Sequence, residues 1–185
     1  MSEAKKGFLP LSHRIRLSET RSPSTSDERS RVSRIPYASA IGSIIYAMIC
    51  TQPDVAFAIR LTSRYQANPG ESHWAVVKNI LKYLKRTKEM FLVYGAEEEL
   101  CVKGYADASF QTNKDDCRSQ SRFVYVMNGG AVSWTSSKQD TVADSTTEAK
   151  YIVACEAAKG GVWIRNFLDD RGIFPSLGKT IGPLL

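Results

Sequence analysis

Apolar and polar positions divide this 185-residue chain into three stretches. Over residues 12–34 (SHRIRLSETRSPSTSDERSRVSR) large apolar groups are sparse, and Ser, Thr and Arg dominate. Such a segment buries too little surface to offset its ordering entropy, which predicts a linker or disordered arm over residues 1–36. From Tyr37 the apolar residues take up helical spacing. Ala38 to Cys50 is apolar nearly all round, which predicts a buried helix. Thr51-Gln52-Pro53-Asp54 breaks the chain, and Pro53 suits the first turn of a second helix running to about Gln66. Asn68-Pro69-Gly70 ends it. A third helix, from about Glu71 to Thr87, carries Trp74, Val77, Leu81 and Leu84 as an apolar stripe, with Lys78, Lys82 and Lys85 as a basic row beside it.

After Met90 the pattern changes to that of strands. Phe91 to Tyr94 reads as a short strand, and Leu100 to Ala108 as a second, followed by a polar loop from Gln111 to Gln120. Arg122 to Met127 and Ala131 to Thr135 flank Asn128-Gly129-Gly130, a hairpin signal because the turn needs residues that accept positive φ. A long helix follows from about Thr146 to Asp169, with Tyr151, Cys155, Ala158 and Val162 recurring on one face. Gly160-Gly161 interrupts it, at ~1 kcal/mol per glycine against alanine. The tail from Gly172 reads as a loop and one incomplete strand from Thr180. Its apolar ending predicts an unfinished sheet, and such an edge invites self-association or pairing with another chain. The elements together predict a mixed α+β or α/β protein, with a helical segment at 37–97 and a three-stranded antiparallel sheet plus long helix within 98–185.

Charge modifies this picture locally. The chain carries 25 Lys and Arg against 19 Asp and Glu, and residues 1–36 hold eight and four of these. A basic arm on a nearly neutral body suits a polyanion partner through attraction to phosphate, and it equally suits a solvated linker. The lysine row of the third helix admits the same two readings: a phosphate-tracking stripe or the wet face of an amphipathic helix. No apolar run reaches the ~18 residues of a membrane span, and the first residues lack a signal-peptide core, so an intracellular setting without membrane insertion is expected. The four cysteines (Cys50, Cys101, Cys117 and Cys155) lack zinc-ligand spacing.

Two acids occupy informative places. Asp107 lies near the end of a strand in Gly104 to Phe110 (GYADASF), and Glu148 lies in the first turn of the long helix. If that helix crosses the sheet, its first turn approaches the strand end, and two carboxylates there could ligate a hard divalent cation. Ser145-x-x-Glu148 is also a capping box, which needs no metal.

The segment from Trp134 to Ala149 (WTSSKQDTVADSTTEA) closely resembles the RNase H of copia-type LTR retrotransposon Pol polyproteins. Tyr37 to Tyr46 (YASAIGSIIY), Pro53 to Phe57 (PDVAF), His73-Trp74 and Leu81 to Leu84 (LKYL) resemble the end of the reverse transcriptase in that family. Ser119-Gln120-Ser121 and Asn128-Gly129-Gly130 also fit, and the resemblance runs from about Gly7 to Ser176. It implies a helical thumb or connection segment followed by a partial RNase H-like fold. It further implies Mg²⁺ (or Mn²⁺), an RNA–DNA hybrid or other nucleic acid as partner, and Asp107 and Glu148 as the catalytic, metal-binding acids. The family's remaining acids belong to positions after Leu185, Lys150 replaces a usual acid, and Arg122 stands where glycine is usual. An isolated chain without hybrid-cleaving activity is the resulting expectation. The alternatives are a nuclease that borrows ligands from a partner, and a non-enzymatic, effector-like interaction protein.

Overall fold

The computed structural model describes residues 8–12, 15, 17–95 and 101–172 of the chain. It divides into two compact units, Met1–Phe91 and Leu92–Leu185.

The first unit is helical, with α1 at Ser26–Val32, α2 at Tyr37–Cys50, α3 at Ala56–Ser63 and α4 at Glu71–Arg86, and with short 3-10 turns at Glu19–Arg21 and Pro53–Val55. Pro53 opens the second of these turns just ahead of α3, where its missing N–H costs nothing. Ile41, Ile44, Val55, Ile59, Val77 and Ile80 are fully buried between α2, α3 and α4. The Tyr83 hydroxyl donates to the Asp54 carboxylate and ties α4 to the turn before α3. Burial and that bond push its pKa up to about 12.

Three sequence expectations need correction here. The arm contains a helix: Thr25 accepts from the Glu28 N–H while Glu28 accepts from the Thr25 N–H, a capping box that starts α1. Leu17 and Val32 are buried, and two well-placed anchors suffice where mean composition suggests none. On α2, only the face of Tyr37, Ile41, Ile44 and Met48 is buried, whereas Tyr46 is 74% exposed and Ile49 lies beside it in solvent. On α4, the buried stripe is His73, Val76, Val77 and Ile80, one step round the helix from the large apolar side chains Trp74, Leu81 and Leu84.

The arm meets the bundle at Gly70, the residue before α4. A Cβ at this position would run into the backbone carbonyl of Arg21. Gly70→Ala is therefore expected to lower the melting temperature of the helical unit and to expose residues 17–22 to proteolysis. An unchanged melting temperature and unchanged cleavage pattern would show that the arm does not pack there in solution.

The second unit holds β1 (Val102–Ser109), β2 (Gln120–Met127) and β3 (Gly130–Lys138) in one antiparallel sheet of order β1-β2-β3, followed by α5 (Thr146–Asp170). This is the mixed α+β fold expected, consistent with a partial RNase H-like domain. The β2–β3 turn places Asn128 at φ 50° and Gly129 at φ 77°, the left-handed conformations the sequence anticipates. Phe91–Tyr94 is not a strand. Val93 to Gly95 instead run beside the hairpin, with Gly95 N–H donating to Asn128 O (2.7 Å) and the Tyr94 hydroxyl to Ala131 O (2.9 Å). The tail expected to hold an incomplete strand lies outside the described residues.

Helix α5 packs on one face of the sheet through Ala149, Val153, Ala157, Gly161, Ile164 and Leu168. Tyr125 of β2 is the sheet's main contribution to this core, together with Val102 and, around them, Phe123, Met127 and Val132. The tyrosine accounts for the paired glycines. A Cβ at Gly160 would stand 3.3 Å from its phenol ring and hydroxyl and one at Gly161 3.4 Å from the hydroxyl, and that hydroxyl donates to the carbonyl of Ala157 one turn earlier. The stripe of Tyr151, Cys155, Ala158 and Val162 faces solvent instead of the sheet, and Trp163, 65% exposed, stacks on Phe167. No single helix among the described residues is long and apolar enough to cross a membrane.

Candidate metal and nucleic-acid site

Strand alternation decides where Asp107 points. Val102 and Gly104 of β1 face α5, and Gly104 pairs with Tyr125 under the helix. Asp107, an odd number of residues further on, lies on the opposite face with Lys103 and Tyr105, all three exposed. Its cross-strand neighbour is Arg122, whose guanidinium bonds the Asp107 carboxylate and donates to Ser109 Oγ at 2.7 Å.

Glu148 is positioned by the start of α5. Ser145 caps the helix by accepting from the Glu148 N–H at 3.1 Å, and Glu148 Oε2 turns back to accept from the Asp144 N–H at 2.7 Å. The first turn of α5 is tied to the start of β2, the strand that pairs with the end of β1. The device is Gln139, fully buried, which donates to Ser121 Oγ (3.1 Å) and to Ala149 O (2.9 Å), while its backbone N–H donates to Ser119 O (2.9 Å). Ser121 in turn pairs with Ala108 of β1. This anchor was visible only as part of the Ser-Ser-Lys-Gln and Ser-Gln-Ser matches, since nothing in the pattern of a single glutamine marks it as a hub.

The two acids thus sit near one end of the sheet with their carboxylates already committed, Asp107 to a guanidinium and Glu148 to a backbone N–H. Among the described residues, no group of three or more His, Cys, Asp or Glu could hold a metal ion. Mg²⁺ demands near-octahedral oxygen ligation and a two-ion centre needs more acids still, so this donor set does not fit one. The nearby Lys138 is committed as well, 2.6 Å from Asp116. Burial pushes the Asp116 carboxyl up, but bonds from Lys138, the Arg118 N–H and Asn113 outweigh it and hold the group below its ordinary value.

In the other unit, Lys78 is exposed and Lys82 and Lys85 are half-buried on α4, apart from the buried stripe. Arg86 follows them and stacks its guanidinium on the Phe8 ring at 3.9 Å.

The chain is 41% identical, over 173 residues and 94% of its length, to the retrovirus-related Pol polyprotein from transposon TNT 1-94 of Nicotiana tabacum. It is 30% identical over 137 residues to the corresponding polyprotein from transposon RE2 of Arabidopsis thaliana. The chain is thus a homologue of retrovirus-related, copia-type transposon Pol polyproteins. It spans 13% and 9% of the lengths of those two relatives. This Pol homologue is also 38% identical over 133 residues to secreted RxLR effector protein 161 of Plasmopara viticola, and there it covers 94% of the relative. No family model matches it, and no solved structure does.

Proposed function

We propose that this chain is the stretch of a copia-type Pol polyprotein that leads from the end of the reverse transcriptase into the first half of the RNase H domain. The observation that carries this reading is the order β1-β2-β3-α5, with Asp107 near the end of the first strand and Glu148 in the first turn of the helix that covers the sheet. The helical unit before it fits a thumb or connection segment. The family's reaction is Mg²⁺-dependent cleavage of RNA in an RNA–DNA hybrid, and it needs several carboxylates gathered round cations. With its two acids committed elsewhere, the isolated chain is inactive in that reaction and acts, at most, by binding nucleic acid.

The test is a labelled RNA–DNA hybrid incubated with purified protein in Mg²⁺ or Mn²⁺, beside Asp107→Asn and Glu148→Gln. The expected result is no cleavage by any of the three. Turnover by the parent that is lost in both variants would overturn the inactive assignment. Binding is read separately, by titrating the hybrid at several salt concentrations. If Lys78, Lys82 and Lys85 each neutralise a phosphate, replacing all three with Gln lowers the slope of log affinity against log salt by roughly 2–3. An unaltered slope would remove the lysine row from the interface.

A second reading rests on the effector-named relative, which the chain covers almost end to end. In it the segment is a non-enzymatic interaction protein. Recovery of a protein partner with no measurable hybrid affinity would favour that reading over the first.

A further inference from the structure

The face of the sheet turned away from α5 carries a charge pattern that conflicts with metal binding. Going across the strands, its rows are Lys103 with Val126; Tyr105, Val124 and Trp134; Asp107, Arg122 and Ser136; and Ser109, Gln120 and Lys138. These positions hold one acid and three cations. No second carboxylate lies beside Asp107, either along β1 or across on β2, and its nearest charged neighbour is the Arg122 cation, which disfavours a divalent ion at that carboxylate. What Asp107 does have is Arg122, directly opposite in register and tied also to Ser109 Oγ at 2.7 Å.

We propose that in this chain the Asp107 carboxylate serves as one half of a metal-independent cross-strand staple, Asp107–Arg122–Ser109, that joins the end of β1 to β2. The proposal rests on the reading of Asp107 as the position of the family's first metal-binding acid, and it states what that position does instead. Cross-strand pairs of opposite charge stabilise a sheet, and the guanidinium fork adds a bond to Ser109 that fixes its direction. The pair is partly exposed, Asp107 by 62% and Arg122 by 36%, so the effect is modest.

Staple and metal site differ in the sign of one measurement. Acids assembled for a metal repel one another in its absence, so neutralising one raises stability, and the metal itself raises the melting temperature of the parent. A staple behaves oppositely. Asp107→Asn and Arg122→Gln should each lower the melting temperature by about 2 °C. The double variant should fall no further than the larger single change, and all four curves should be the same in EDTA and in MgCl₂. Ser109→Ala, which keeps the ion pair, should fall by less than either. Mn²⁺ should leave the NMR signals of residues 105–109 and 120–124 unbroadened.

A higher melting temperature for Asp107→Asn, additive single changes, or Mn²⁺ broadening centred on Asp107 would each overturn the staple. Failure of the wider reading looks different, because hybrid cleavage and hybrid binding are measured separately from these curves. Broadening at Asp107 would remove the staple and strengthen the nuclease assignment. Additive changes without broadening would remove the staple and leave the inactive assignment standing.

Discussion

Tyr125→Ala should cost the sheet–helix unit about 3–5 kcal/mol, the largest single loss expected anywhere in the chain. The side chain is 2% exposed at the centre of the small core between β1, β2 and α5, beside Val102, Ile164 and Leu168 and edge-on to Phe123. Its removal leaves a cavity against Gly160 and Gly161, which bring no side chains to fill it. Burial raises the pKa of its phenol, which stays protonated and donates to Ala157 O. Tyr125→Phe keeps the ring and loses only that bond, so about 1 kcal/mol separates it from the parent. Urea unfolding of the parent and both variants, followed by circular dichroism, measures the two losses. A cost below 1 kcal/mol for the alanine change would mean that α5 does not rest on this face of the sheet.

The second large effect is expected in the helical unit, where His73→Ala should cost about 2–4 kcal/mol. His73 is fully buried, and its ring stacks on Tyr65 with centroids 4.1 Å apart. Gly70 N–H donates to Nδ1 at 2.9 Å, so the proton sits on Nε2, which faces Ser18 O at 3.2 Å. Alanine would orphan the buried Gly70 N–H, leave the Ser18 carbonyl without its donor and empty the space under Tyr65. His73→Gln can restore one of the two bonds and should recover part of the loss. Hydrogen exchange at the Gly70 amide reads the local effect, and thermal unfolding reads the total. Unchanged exchange at Gly70 in His73→Ala would contradict the arrangement.

The order of elements was legible because the apolar pattern changes near Met90 and because strong local signals mark the ends. Pro53 and Asn128-Gly129 do in three dimensions what their chemistry predicts, and Ser145 caps α5 as expected, although Glu148 reaches back to the Asp144 N–H and not to that of Ser145. Which side of each helix is buried was less legible. On α5 the buried positions are small ones, Ala149, Ala157 and Gly161, which carry little hydrophobic weight, and the large residues Tyr151, Trp163 and Phe167 lie outside. On α4 a histidine takes a core position because its two ring nitrogens both find backbone partners, which composition does not reveal. At the candidate site, motif matching gave the positions of Asp107 and Glu148, but their present partners depend on register and capping. Arg122 lies fifteen residues from Asp107 in the chain, and only the pairing of β1 with β2 makes them neighbours.

The close approach of Gly70 to Arg21 bears on where this polypeptide can be shortened. A version beginning at Tyr37, the first residue of the obvious helical pattern, would lose the carbonyl that faces the His73 ring, along with Leu17 and Val32. It would expose the underside of α4 and leave an imidazole proton pointing at nothing. The cooperative folding unit therefore starts well inside the stretch that composition assigns to a tether, and deletion mapping that stops at residue 36 would record loss of folding as loss of function.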